Sequence, residues 1–158
     1  DFEALSATWG VAHYTNDLAE ALVDADFVLV NVNLSAQTRN FVNAERLGLM
    51  KRGAFLVNTA RGPIVDEIAL YDALASGHLG GAGLDVFHHE PYVPLDPQRD
   101  LRTLPNVIMT PHIASNTGAA NAAMASRSLA NVRAVLEGRW QEAAIVNTDV
   151  ISWLQAHS

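Results

Sequence analysis

Apolar and polar positions along this chain switch between a strand-like and a helix-like period. Phe27-Val28-Leu29-Val30-Asn31-Val32 is nearly continuous and rich in β-branched residues, the signature of a strand covered on both faces. Ala54-Phe55-Leu56-Val57-Asn58 reads as a second buried strand. Gly81-Ala82-Gly83-Leu84-Asp85-Val86 reads as a third, thinned by glycines where a neighbour must pack closely. Val107-Ile108-Met109 is a short fourth, broken by Pro111.

Helical spacing fills the gaps. Asp17 is a capping residue with Glu20 three positions on, followed by Ala21, Leu22 and Ala25. A second helix is expected from about Ala44 to Met50, stopped by Lys51-Arg52-Gly53. Asp66 caps a third, with Ile68, Leu70, Tyr71 and Leu74 as its apolar face and Gly77 as its end. A long helix runs from about Ala119 to Glu137 and stops at Gly138; Met124, Leu129, Val132 and Leu136 are its apolar positions. This alternation predicts an α/β fold, a doubly wound parallel sheet with right-handed crossovers. The long irregular stretch from about Phe87 to Pro105 is expected to be functional or mobile.

Composition narrows the class. Hydrophobic residues make up 49% and charged residues 17%, which excludes a disordered chain and a coiled coil. A net charge of -7 with ten Lys and Arg excludes non-specific nucleic-acid binding. No apolar run approaches a membrane span, so no membrane partner is expected. Cysteine is absent, which removes disulfide and thiolate chemistry and fits a reducing cytoplasm. Asp1 and Glu3 stand where a signal peptide would carry basic residues.

Ligands of open α/β sheets bind beyond the carboxyl ends of the strands. Asn33 and Ser35 follow the first strand, and Asn58-Thr59-Ala60-Arg61-Gly62 follows the second. Asp85 lies late in the third with His89-Glu90-Pro91 just past it, and Thr110-Pro111-His112-Ile113-Ala114-Ser115 follows the fourth. An Arg, two carboxylates and a His therefore converge on one edge, which is the case for an active site there.

Each of these residues has a plainer reading when taken singly. Arg61 is then a surface Arg in a tight turn, Glu90 a solvated loop acid, Asp85 a structural carboxylate bonded to backbone amides, and His112 a packed histidine. His88 and His89 are adjacent on an extended stretch and point apart, so no metal site is expected. Surface or helix-end roles suffice for His13, His78 and His157.

In their order, Asn58 to Gly62, Gly83 to Phe87 with Glu90-Pro91, and Thr110 to Ala114 resemble the signatures of the D-isomer-specific 2-hydroxyacid dehydrogenases, which include phosphoglycerate, glyoxylate and hydroxypyruvate, and D-lactate enzymes. The resemblance runs from about Gly10 to Gly138. It implies the second half of a Rossmann-like NAD(P)-binding domain over residues 1-138, and a tail over 139-158 returning toward a substrate domain. It implies that Arg61 holds the substrate carboxylate through its planar fork. It makes His112 the general acid and base, with Glu90 orienting the ring and favouring imidazolium. Ser35, Thr38, Thr59, Ala60, Arg61, Asp85, His112, Ala114 and Ser115 would line the cofactor, NAD or NADP. The substrate would be a small 2-hydroxy or 2-keto acid, and the protein a cytoplasmic homodimer.

The family's Pro-Leu-Thr pattern is here Asn33-Leu34-Ser35, which keeps a hydroxyl but not the proline. No Gly-x-Gly-x-x-Gly occurs, and Gly80-Gly81-Ala82-Gly83 precedes its strand instead of following it. The chain is thus expected to begin after the phosphate-binding turn, and half a parallel sheet is expected to expose an apolar edge and uncovered faces. The alternative within the same superfamily is a non-catalytic fragment or a cofactor-sensing corepressor. Glu90 before Pro91 argues against a formate dehydrogenase, where Gln typically stands.

Overall fold

The computed structural model describes residues 2–157; the side chain of His157 lies outside the described residues. Its four strands are β1 (Phe27–Val30), β2 (Phe55–Asn58), β3 (Gly81–Leu84) and β4 (Val107–Met109), all parallel and adjacent in chain order. The helices are α1 (Phe2–Trp9), α2 (Leu18–Leu22), α3 (Ala44–Leu49), α4 (Glu67–Ala75), α5 (Gly118–Leu136) and α6 (Asp149–His157). No described helix is long and apolar enough to cross a membrane.

The expected caps form. Asp17 accepts from the Ala19 and Glu20 amides, and Asp66 from those of Ile68 and Ala69. Gly77 ends α4 in the left-handed region, where a side chain would be strained, whereas α3 already ends at an extended Met50 and the left-handed Gly53, expected as its stop, turns the chain into β2. Two helices were not expected from the pattern, α1 and α6. The Phe87–Pro105 stretch contains a 3₁₀ turn at Leu101–Thr103, tied down where the Tyr92 hydroxyl accepts from the Leu101 amide and Phe87 meets the Tyr92 ring edge-on.

Register decides which side chains share a face. Val28, Leu56, Ala82 and Val107 lie in one row across the sheet, and Val30, Asn58, Leu84 and Met109 in another. These rows point into one core, built with Leu22 of α2, Leu47 of α3 and Leu70 and Leu74 of α4. Strands added one beside the next by right-handed crossovers place their connecting helices on the same side. The intervening rows carry Phe27, Leu29, Phe55 and Ile108, all exposed, with Leu29 at 70% and Ile108 at 74%. The expectation that β1 is covered on both faces is therefore corrected. Its apolar run reports one packed face and one bare one, as the expectation for half a parallel sheet required. Phe27 stacks on Phe55 with ring centroids 5.4 Å apart, which hides a little of that surface.

The chain divides by its internal contacts into residues 1–112 and 113–158. The second unit holds α5 and α6. On α5, Met124, Leu129, Val132 and Leu136 are exposed, so the apolar stripe read from the sequence is present but uncovered, and Ala134 is the buried position.

Candidate active site

Asn58 ends β2 as a buried polar residue and braces the turn that follows. Its Nδ2 donates to the Arg61 carbonyl at 3.1 Å, and its Oδ1 accepts from the Ala60 amide at 3.1 Å. Beyond the turn, Val42 and Val65 form a parallel bridge, and the Asn40 amide donates to the Pro63 carbonyl at 2.8 Å. The backbone either side of Arg61 is thus fixed while its side chain is exposed, with Nη1 donating to the Ala60 carbonyl at 2.6 Å.

His112 follows β4 with φ at +52°, a backbone conformation that L-residues adopt at a cost. Asp85 holds it there: Oδ1 accepts from the His112 amide at 3.2 Å and from the Thr110 hydroxyl. The ring reaches Glu90, with Nδ1 2.8 Å from Oε2. A carboxylate can only accept, so Nδ1 carries the proton and Nε2 is left for proton transfer. Glu90 is in turn steadied by the Phe87 amide, which donates to Oε1 at 3.1 Å. The hydrogen bond from His112, helped by the Phe87 amide and the charges of His112 and Arg61, holds the Glu90 carboxyl below the usual carboxylate range against a smaller opposing effect of burial.

Beside a hollow of about 370 Å³ lined by Phe87, Glu90, Tyr92, Met109 and Thr110, two others lie at the carboxyl ends of the strands. One, of about 400 Å³, is lined by Asn31–Leu34 and by Thr59, Ala60 and Arg61. The other, of about 200 Å³, opens on the bare face beside Thr59, Gly83, Asp85, Ile108 and Thr110. Thr59 lines both. Ser35 and Thr38 line neither and instead lock their own loop: the Thr38 hydroxyl donates to the Asn33 carbonyl at 2.6 Å and accepts from the Ser35 amide at 2.7 Å. Ala114 and Ser115 lie in a turn of the second unit, where the Asn116 amide reaches the Ile113 carbonyl. The structure thus brings Glu90, His112 and Asp85 together and sets Thr59, Ala60 and Arg61 along a cleft.

Three residues outside the expected site shape it. Asn58 was visible as a polar residue closing an apolar strand. Gly62 has no room for a side chain, since a Cβ there would fall inside the Phe87 carbonyl group. Glu67 is buried, a fact its helix-start position did not announce. The His88 ring turns to the Val65 carbonyl, 3.3 Å from Nε2.

A sequence profile of the D-isomer specific 2-hydroxyacid dehydrogenase NAD binding domain matches residues 6–114, and the chain belongs to that family. It is 44% identical to the glyoxylate reductase of Thermofilum pendens over 85% of this chain and 39% of that protein. It is 46% identical to the glyoxylate reductase of Pyrococcus furiosus over 85% of this chain and 38% of that protein. Among solved structures, it resembles a D-lactate dehydrogenase from Aquifex aeolicus complexed with NAD and lactic acid. The TM-score is 0.73 at 34% identity, covering 82% of this chain and 42% of that one. An NADPH-dependent glyoxylate/hydroxypyruvate reductase from Sinorhizobium meliloti, in complex with NADP and malonate, gives a TM-score of 0.70 at 37% identity over 80% of this chain and 39% of that one. The chain thus spans about two-fifths of the length of these relatives.

Proposed function

We propose that this site serves NAD(P)-dependent interconversion of a small D-2-hydroxy acid and its 2-keto acid, with hydride passing between the nicotinamide and C2. The observation that carries the reading is the 2.8 Å hydrogen bond from His112 Nδ1 to Glu90 at the carboxyl edge of the sheet. His112 Nε2 gives a proton to the carbonyl oxygen on reduction and takes the hydroxyl proton on oxidation. Glu90 keeps the ring in one orientation and, as a carboxylate, supports the positive charge that the ring carries before it gives up its proton. Arg61, exposed along the cleft with Thr59 and Ala60, binds the substrate carboxylate with its guanidinium fork and aims C2.

The residues present fit the nicotinamide half of the cofactor. Thr59, Ala60 and Arg61 would hold it along the polar cleft, with Asp85 and Thr59 at the adjoining hollow. Ser35 and Thr38 would act by shaping the loop that forms the opposite wall. Residues 1–138 would form the cofactor-domain portion and 139–158 a tail toward a substrate domain. The absence of cysteine and the exposed apolar faces fit a cytoplasmic homodimer.

The test is NADH and NADPH oxidation with glyoxylate or hydroxypyruvate by the protein at its natural length. His112→Ala is expected to lower kcat/KM by about a hundredfold to ten-thousandfold, and a loss of less than about tenfold overturns the general-acid role.

A further inference from the structure

Two consecutive amides just after β3 each serve a different glutamate. The Phe87 amide donates to Glu90, and the next amide, His88, donates to Glu67 Oε1 at 2.6 Å. Glu67 is the first residue of α4, only 6% exposed, and its second oxygen has no partner although it is buried. Burial pushes its carboxyl up, opposed by the His88 amide and the charges of His88 and His89, with Asp66 adding to the rise. Leaving a carboxyl oxygen buried and unpartnered costs free energy that a Leu or Met at the same place would not incur. The position therefore does something besides fill space.

What it does follows from what else grips the same two residues. The Gly62 backbone presses so closely on Phe87 and His88 that no side chain fits between them. The His88 ring meets the Val65 carbonyl. Glu67 closes the third side. The clamp therefore ties the segment carrying Glu90 to the turn carrying Arg61, through Gly62, Val65 and Glu67.

We propose that Glu67 is a positioning residue: by accepting the His88 amide it fixes the Phe87–Glu90 segment, and so holds Glu90 against His112 in register with Arg61. The inference rests on the dehydrogenase reading for its catalytic meaning, and on geometry alone for its structural part. A carboxylate displaced from its place beside Nδ1 holds the proton on that nitrogen less firmly, and reactions between oriented groups are sensitive to such displacements.

The experiment reads the tautomer of the neutral His112 ring by nitrogen NMR in the intact chain, where no turnover is needed. The wild-type ring is expected in its Nδ1–H form, and Glu90→Ala is expected to lose that preference. Glu67→Met, which fills the space without an acceptor, is expected to lose most of it as well. Glu67→Gln, which keeps an acceptor oxygen and discards the charge, is expected to behave as wild type. Should Glu67→Met not fold, Glu67→Asp withdraws the acceptor by one methylene and must weaken the preference in the same direction.

A folded Glu67→Met or Glu67→Asp chain with the wild-type tautomer overturns the proposal, and so does a Glu67→Gln chain that loses it as fully as Glu67→Met. In the natural-length enzyme, Glu67→Met is expected to lower kcat by about tenfold with KM nearly unchanged, and Glu67→Gln to restore it. A wild-type enzyme that oxidises neither NADH nor NADPH with 2-keto acids sinks the dehydrogenase reading while leaving the tautomer result standing, so the two failures are separate.

Discussion

The same four strands present two faces of similar chemistry and opposite fate. On one, Leu56 and Leu84 are buried against Leu47, Leu70 and Leu74. On the other, Phe27, Leu29, Phe55 and Ile108 meet solvent. Side-chain hydrophobicity does not separate them, since Leu29 of β1 and Leu56 of β2 are the same residue at neighbouring rows. The direction of the crossovers does, because every connecting helix in the first unit joins the core on one side. Hydrophobic patterning thus states that a strand is apolar, and the path of the chain states which of its faces is packed.

That contrast can be broken most sharply with paired truncations. Leu56→Ala, at 0% exposure, is expected to cost about 3 kcal/mol in urea unfolding, whereas Leu29→Ala is expected to change stability by no more than about 0.5 kcal/mol. Equal costs would mean that the bare face is covered in solution. A smaller effect is expected from Gly62→Ala, where the new methyl group meets backbone that cannot rotate away. A loss of about 2 kcal/mol by thermal or urea unfolding is expected. An unchanged stability would show that the clamp on Phe87 gives way without cost.

The smallest effect concerns pH. Glu90 sits below the usual carboxylate range, chiefly through its hydrogen bond with His112, so its contribution to stability is present above the unfolded carboxylate value and is lost as pH falls through the folded one. Glu90→Gln is expected to flatten that acid limb slightly, the pair being well exposed. An acid limb identical to that of the wild type would show that the pair adds nothing to folding.

Much of the site was legible because it sits where sequence patterns end. Arg61 follows the Asn58 strand end, Glu90 follows the Asp85 strand, and His112 follows Pro111, so strand order alone placed them on one edge. The His112–Glu90 hydrogen bond realises that placement. Asp85 was expected beside a cofactor and is seen bracing the left-handed His112 backbone as well as lining a hollow, a use that no spacing rule reveals. The Ser35 and Thr38 hydroxyls bond within their own loop, because hydroxyls in a tight turn find the nearest backbone groups first.

The sequence by itself determined the order of the four strands and of helices α2 to α5, the caps at Asp17 and Asp66, the glycine stop at Gly77, and the family. Each of these is written in local residue chemistry or in short ordered motifs. Only the tertiary structure decided which face of β1 is bare, why Gly62 admits no side chain, and that Glu67 reaches the His88 amide. Those depend on contacts between segments far apart in the chain, where the register of parallel strands and the path of the crossovers set who meets whom.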